Sequence, residues 1–334
     1  MTKHVLLIDA PETPLGAGLP GPWTAMFIVT ALAIYPLLMN EFAGSFYVSL
    51  GARVLILALA ASALNLALGY GGMVSLGHAA FLGIGAYTVA ILANNGLNAA
   101  WVAVPAAVAV ASAAAFLIGA ICLRTSGVYF IMITLAFAQL FYHLAVSLPA
   151  FGGDDGLQMT ARSSMPGLKL ESDLAFYYFV LFIAGLAFLL LYRLVSSRFG
   201  RALVAIRENE RRMAAIGYPV YRLKLMAFTL SGGLAGLAGA LLANLTTGIT
   251  PHTLTWHQSG LLMVMVILGG SGYFWGGLIG AGIFLLLEET ISAHTEHWNL
   301  VLGALLLLIV MVAPNGVMSL QRHLRSFFRR RRAP

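Results

Sequence analysis

Long apolar segments separated by short polar stretches dominate the hydrophobic pattern of this chain. They lie near residues 23–39, 51–68, 73–93, 101–122, 127–148, 175–195, 225–247, 260–287 and 299–313. Runs of this length are typical of transmembrane helices. The apolar positions do not alternate with period two, as the strands of a membrane barrel would. The pattern therefore predicts an all-α polytopic membrane protein with about 8–10 transmembrane helices, including broken or re-entrant segments.

One apolar segment, 260–287, is too long for a single straight crossing. A helix of that length would extend about 42 Å at 1.5 Å per residue, whereas the hydrocarbon core is roughly 30 Å thick. The segment contains the Gly-rich stretch LGGSGYFWGG at 268–277, where a helix can break. We therefore predict two shorter helices that form a hairpin.

A second Gly-rich stretch, GYGGMVSLGHAAFLGIGAY at 69–87, also lies between apolar segments. When 68–77 is aligned with 268–277, Leu68 matches Leu268 and three glycines coincide. This similarity fits an internal repeat, which is common in transport proteins with broken helices. It also fits chance similarity between Gly-rich stretches, and both interpretations stay open.

The glycines of 69–87 allow helices to approach closely or to unwind beside a cavity. An ionisable residue inside a span usually faces the bundle interior or water. His78 therefore either lines a path through the membrane or is a neutral histidine hydrogen-bonded to a neighbouring helix. The candidate path residues are Gly77, His78, Phe81 and Tyr87.

Charge is sparse and unevenly distributed. Charged residues make up 9% of the chain, against about 25% in soluble domains. Of the 19 basic residues, 8 lie between Arg193 and Lys224 and 6 between Arg322 and Arg332. Clusters beside membrane spans are typical of cytoplasmic loops, so we predict no nucleic-acid partner. The tail RSFFRRRR is expected to contact anionic membrane lipid.

These clusters predict that the N- and C-termini are both cytoplasmic. The predicted organisation is a cytoplasmic N-terminal tail at 1–22, a single transmembrane domain at 23–315 with a cytoplasmic loop at 196–224, and a basic cytoplasmic tail at 316–334. The N-terminal tail lacks the basic start and apolar middle of a signal peptide. The single cysteine, Cys122, excludes a disulfide framework.

The loop 196–224 has the pattern of an amphipathic helix. Apolar residues recur at helical spacing at Phe199, Leu203, Ile206 and Met213, and charged residues occupy the other face. Gly217 and Pro219 are expected to end the helix. We predict one helix over 198–217 that lies on the membrane surface or docks in a groove of a partner.

Several stretches together resemble the LivM-type permease subunit of bacterial branched-chain amino acid ABC importers. They are GYGGMVSLGHAAFLGIGAY, TSGVYFIMITLAFAQL, FGGDDGL, RFGRALVAIRENERRMAAIGYPVYRLKLMAF and LLMVMVILGGSGYFWGGLIGA, in this order within residues 45–315. The resemblance implies a multi-pass subunit of the bacterial inner membrane that forms half of a translocation path. Its cargo would be branched-chain amino acids or related small polar solutes. The implied partners are a sister permease, two cytoplasmic ATP-binding subunits and a periplasmic substrate-binding protein.

The resemblance also implies a contact with the ATPases. In such importers a cytoplasmic loop with an E-A-A-x-x-x-G-like pattern is gripped by the ATPase, and this chain resembles a relaxed form of that pattern. The implied coupling residues are Arg207, Glu208, Glu210, Arg211, Ala214, Ala215 and Gly217. A P-loop requires a Gly-Lys pair, and none occurs here. ATP and Mg are therefore expected on the partner ATPases, and no cofactor on this chain.

Two other classes of function fit the sequence less well. An ion-coupled secondary transporter of amino acids commonly uses Asp or Glu inside its spans, and the predicted spans have acidic residues only near their ends. An enzyme would need clustered nucleophiles, bases or metal ligands. His294 and His297 lie near Glu288 and Glu289 without diagnostic spacing. We therefore predict no metal site and no enzymatic activity.

Overall fold

The described part of the chain is predominantly helical. The computed structural model describes residues 22–42, 44–165, 170–312 and 316–319. Its helices are α1 (Pro22–Phe42), α2 (Ser45–Asn65), α3 (His78–Asn94), α4 (Ala100–Cys122), α5 (Val128–Ser147), α6 (Asp173–Ser196), α7 (Arg198–Glu208), α8 (Glu210–Ala215), α9 (Val220–Thr246), α10 (Trp256–Gly269), α11 (Gly276–Ser292) and α12 (Trp298–Val312). A two-residue ribbon pairs β1 (Leu157–Gln158) with β2 (Gly248–Ile249) antiparallel.

Several helices are long and apolar enough to cross a membrane. Those of at least 18 residues are Ser45–Tyr70, Ala100–Cys122, Val128–Ser147, Asp173–Ser196 and Val220–Thr246. Shorter apolar helices lie at Met26–Met39, His78–Asn94, Trp256–Gly269 and Asn299–Ile309. The protein is thus an all-α polytopic membrane protein, as the apolar pattern predicts.

Helix α2 lies at the centre of the bundle. It packs against α1, α6, α9, α10 and α11, and 72% of its most apolar window is buried within the chain. The corresponding share for α5 is 22%. A helix that is apolar all round and enclosed by protein belongs to the core, whereas α5 leaves most of its apolar surface for lipid or a partner.

Small residues bring α3 and α9 into backbone contact. A Cβ atom added at Gly85 would lie 2.1 Å from the carbonyl oxygen of Gly236, and one added at Gly239 would lie 1.8 Å from that of Leu82. Only glycine fits at such distances, which is the usual basis of close helix packing in membranes.

The structure confirms the predicted break within 260–287. Helix α10 ends at Gly269 and α11 begins at Gly276. Gly270 and Gly272 adopt φ angles of 115° and 81°, which other residues rarely accept. The two helices pack against each other as a hairpin.

The apolar segment 73–93 is not helical from its start. Helix α2 continues through a π-helical turn, Leu66–Tyr70, and α3 begins only at His78. The backbone between them is held by other partners: the Met73 amide donates to the Ala67 carbonyl at 2.9 Å, and the Leu76 amide to the Thr134 hydroxyl at 3.3 Å. The two Gly-rich stretches are therefore both breaks between consecutive helices.

The prediction of one helix over 198–217 is wrong, because Asn209 divides it. Asn209 has extended backbone angles, φ −155° and ψ 93°, and its side chain accepts a hydrogen bond from the Arg212 amide at 2.9 Å. It therefore ends α7 and caps α8. Gly217, with a φ angle of 89°, follows α8 as predicted, while residues 220–224 belong to α9.

The connections between the helices lie at two opposite ends of the bundle. At one end α7 and α8 lie beside the α4–α5 connection, and the Tyr221 hydroxyl donates to the Ala120 carbonyl at 2.9 Å. At the other end lie the β1–β2 ribbon and the ion pair of Arg162 with Asp173. Of the predicted tails 1–22 and 316–334, only Pro22 and residues 316–319 are among the described residues.

Candidate coupling site and translocation path

Helix α7 rests on the chain's own bundle. Its apolar side chains Leu203 and Ile206 are buried, and Phe199 packs partly against the core. The helix contacts α6, α9 and the π-helical turn. The apolar face that predicted a membrane or partner contact is therefore used within the chain, where it packs α7 against α6 and α9.

Arg207 connects α7 to both helix breaks. Its guanidinium donates a hydrogen bond to the Gly69 carbonyl in the π-helical turn. A Cβ atom at Gly72 would lie 3.0 Å from the Arg207 Cγ, and one at Gly272 would lie 3.1 Å from an Arg207 guanidinium nitrogen. The aliphatic stem thus lies over the first break while its charged end reaches the second.

Asn65 joins the two breaks directly. Its amide nitrogen donates to the Tyr273 carbonyl at 2.8 Å, and its amide oxygen accepts from the Gly272 amide at 2.9 Å. The side chain is buried. Sequence reasoning missed this residue, although an amide inside the apolar run 51–68 is itself a signal, since polar groups in spans are usually paired or functional.

Most of the predicted coupling residues lie on an exposed surface beside this contact. Glu210 forms an ion pair with Lys224 at 2.6 Å. Glu208 and Arg211 line a polar cavity of about 470 Å³ together with Arg124. Further along, α8 and its C-terminal turn expose a short set of small or apolar residues: Ala214, Ala215, Ile216, Gly217 and Tyr218. Arg207 differs from the rest because its charged end turns inward.

His78 has the geometry expected of a histidine that is hydrogen-bonded to a neighbouring helix. It is fully buried, its Nε2 lies 2.8 Å from the Ser231 hydroxyl, and its ring stacks edge-on against Phe81 and Phe228. The Ser231 hydroxyl donates its one proton to the Ala63 carbonyl. This arrangement assigns the imidazole proton to Nε2.

The other candidate path residues lie around α3. Gly77 immediately precedes the helix, and a Cβ atom there would lie 2.8 Å from the Thr134 carbonyl. Phe81 is buried beside His78, whereas Tyr87 packs edge-on against Phe151 at a ring distance of 5.9 Å. His78 and Phe81 are brought together and Tyr87 lies apart from them. Their place on a translocation path stays a prediction.

A polytopic helical bundle in which two helix breaks touch each other is an arrangement found in many membrane transport proteins. Residues 46–311 match the family described as "Branched-chain amino acid transport system / permease component". The chain belongs to this family, as the resemblance predicts.

Among similar proteins are two named LivM, a high-affinity branched-chain amino acid transport system permease protein. The one from Salmonella typhimurium is 29% identical over 324 residues, 89% of this chain and 75% of the relative. The one from Escherichia coli K12 is 32% identical over 283 residues, 78% and 67% respectively. The E. coli permease protein LivH is 27% identical over 282 residues, 78% and 90%. No solved structure matches the chain.

Proposed function

We propose that this chain is one of two permease subunits of an ATP-driven importer in the bacterial inner membrane. It forms half of the translocation path for branched-chain amino acids or related small polar solutes. Family membership supports this assignment, as do relatives named for branched-chain amino acid transport. The match to LivH as well as LivM supports a sister permease of similar fold.

The single observation that carries the docking assignment is the exposed apolar tip after α8. Ile216 is 65% exposed and Tyr218 48% exposed, at an end of the bundle that is rich in arginine. Clustered apolar side chains outside a membrane mark contacts with a partner, and a short amphipathic element suits a groove on that partner. We assign this tip, with Glu208, Glu210, Arg211, Ala214, Ala215 and Gly217, to a cytoplasmic ATPase.

The same contacts suggest how ATPase closure reaches the membrane. A displacement of α8 would move α7, because only Asn209 separates them. Arg207 would then shift the π-helical turn, and Asn65 would carry that shift to the 270–275 break. In this proposal ATP and Mg stay on the partner ATPases, and a periplasmic binding protein delivers the solute to the other end.

The docking assignment predicts that Ile216→Glu removes the ATPase from the complex. A charge placed in a desolvated groove weakens binding by as much as the loss of an interface hot spot does, which is about 2 kcal/mol or more of binding free energy. We expect at least a roughly tenfold loss of P-loop ATPase when the tagged chain is purified from its native membrane, by quantitative mass spectrometry. Leu97→Glu is the matched control, since Leu97 is 53% exposed at the opposite end. Equal ATPase recovery with both variants would contradict the assignment.

The competing proposal is an ion-coupled secondary transporter. The observation in its favour is Glu288, which lies in α11 rather than in a loop and pairs with Arg53 of α2. Vesicles with the purified complex distinguish the two. Uptake that needs ATP and persists when ion gradients are collapsed supports the importer, whereas uptake by the chain alone, driven by a gradient without ATP, supports the carrier.

A further inference from the structure

A polar cavity lies at the end of the bundle opposite α7 and α8. It has a volume of about 360 Å³ and is bounded by α2, α9, α10 and the β1–β2 ribbon. Its walls combine Arg53, Gln158, Thr253 and Gln258 with the apolar residues Leu57 and Ile249. Small-molecule sites typically span about 300–1,000 Å³ and pair apolar walls with a few polar groups, so the cavity suits a small amphipathic solute.

Arg53 is the charged group of this cavity, and it lies inside the candidate span Ser45–Tyr70. Its Nη2 is 3.3 Å from the Glu288 Oε1, and 43% of the Arg53 side chain remains exposed. Charged residues within membrane spans are rare and mark substrate pathways. A guanidinium has five N–H donors, and the contact with Glu288 engages one of its nitrogens. The others suit a carboxylate.

The position of Arg53 along α2 places the cavity near one membrane surface. Arg53 precedes Gly69, which contacts Arg207 of α7, by 16 residues. At 1.5 Å per residue the two are about 24 Å apart along the helix, which is most of the roughly 30 Å hydrocarbon core. The cavity and the docking surface therefore lie near opposite faces of the membrane.

We propose that this cavity is the outer binding site for an α-amino acid in its zwitterionic form. Arg53, which is paired with Glu288, binds the carboxylate, the Gln158 amide oxygen accepts a hydrogen bond from the ammonium group, and Leu57 and Ile249 contact the apolar side chain. The pair and the cargo are each neutral overall, so binding places no net charge in the low-dielectric region. This inference rests on the proposed import function, and it adds the part of the path that the solute meets first.

Cysteine protection tests the site without depending on transport. Cys122, the chain's single cysteine, is buried, so Thr253→Cys adds a partly exposed thiol at the cavity wall. In the assembled transporter without binding protein, we expect leucine to slow alkylation of this thiol, as measured by mass spectrometry of the chain's own peptide. Leucinamide, which lacks the carboxylate, gives no protection. Gln258→Cys on the α10 wall serves if the first variant does not assemble.

Arg53→Gln in the Thr253→Cys background is the decisive variant. Because hydrogen bonds between charged partners are the strong ones, it raises the half-protecting leucine concentration by roughly tenfold or more. Arg162→Gln is the control, since Arg162 pairs with Asp173 at 2.7 Å at the same end but outside the cavity, and it leaves protection unchanged.

Three results would overturn the proposal: an importing transporter with no protection by leucine, protection that survives Arg53→Gln, or protection by the binding protein alone. The last would make the cavity a docking surface for that protein. ATP-dependent uptake by the transporter with the unaltered chain is measured in parallel. Its absence would refute the import function itself, which separates the two failures.

Discussion

Asn65 shows how one side chain can hold two distant parts of a membrane bundle together. Its amide bonds to residues 207 and 208 positions further along the chain, Gly272 and Tyr273. A Cβ atom at Gly69 would lie 2.5 Å from the Gly272 amide nitrogen, so the two breaks also touch through their backbones. Unpaired backbone groups inside a membrane are costly. The Asn65 amide bonds to one donor and one acceptor of the second break.

Replacing Asn65 by alanine is therefore expected to destabilise the folded bundle. A buried group left without a partner costs about 1–3 kcal/mol. Asn65→Ala leaves the Gly272 N–H in that state and also removes the bond to the Tyr273 carbonyl. Thermal unfolding of the detergent-purified protein measures the loss. Asn95→Ala is the matched control, because Asn95 makes one exposed bond to Ile91 at 2.9 Å. Similar melting temperatures for the two variants would show that the Asn65 bonds contribute little.

Among the helices, the positions of the breaks follow from the sequence more readily than the contacts between them. The glycines of 268–277 predict a break there, and α10 and α11 confirm it. The start of α3 at His78 is less predictable, because the backbone of 71–77 is held by distant partners such as Thr134. The split at Asn209 follows a local cap that an apolar pattern at helical spacing conceals.

For the candidate site, residue types were easier to predict than roles. The basic loop predicts a docking surface, but its charge pattern gives no reason to single out Arg207, whose contacts lie 138 residues away at Gly69. Glu288 directly follows the apolar segment 260–287, yet α11 extends to Ser292 and carries it into contact with Arg53. In both cases the role depends on which distant helices pack together, which the local pattern does not encode.

The link between α7 and the breaks predicts that Arg207→Gln uncouples ATP hydrolysis from uptake. The variant keeps the length of the side chain approximately but loses a charge-assisted hydrogen bond to the Gly69 carbonyl. Such bonds contribute about 1.5–3 kcal/mol, so we expect roughly a tenfold or larger fall in solute moved per ATP hydrolysed. Vesicles containing the whole transporter give both rates. Arg201→Gln, on the same helix but bonded to the exposed Ser196 carbonyl, should transport normally.

A proportional fall in hydrolysis and uptake with Arg207→Gln would point instead to loss of the ATPase from the complex. Co-purification separates these outcomes, because an uncoupled complex retains its ATPases. Arg207→Lys restores the charge without the planar guanidinium and should recover part of the coupling.

At the scale of the whole molecule, the fold assigns each connection to one of two ends, and charge then orients the bundle. The end with α7 and α8 carries most of the basic cluster between Arg193 and Lys224. The opposite end carries Asp154, Asp155 and Asp173. Basic residues next to spans favour the cytoplasmic side. In the orientation that this charge distribution favours, the proposed docking surface would lie where ATP is available, and the Arg53 cavity would lie where a binding protein could deliver solute.

This orientation is testable with two single cysteines, because the chain's own Cys122 is buried and should remain unlabelled. Thr160 and Ser126 are both small, polar and exposed, and they lie in connections at opposite ends. With a membrane-impermeant maleimide and cells whose outer membrane is permeabilised, we expect Thr160→Cys to be labelled at once. Ser126→Cys should be labelled only after the inner membrane is opened. The reverse pattern would place α8 outside the cell, and a cytoplasmic ATPase could then not reach Ile216. Because the fold fixes the relative positions of both ends, one pair of measurements settles the cytoplasmic docking surface and the outer cavity together.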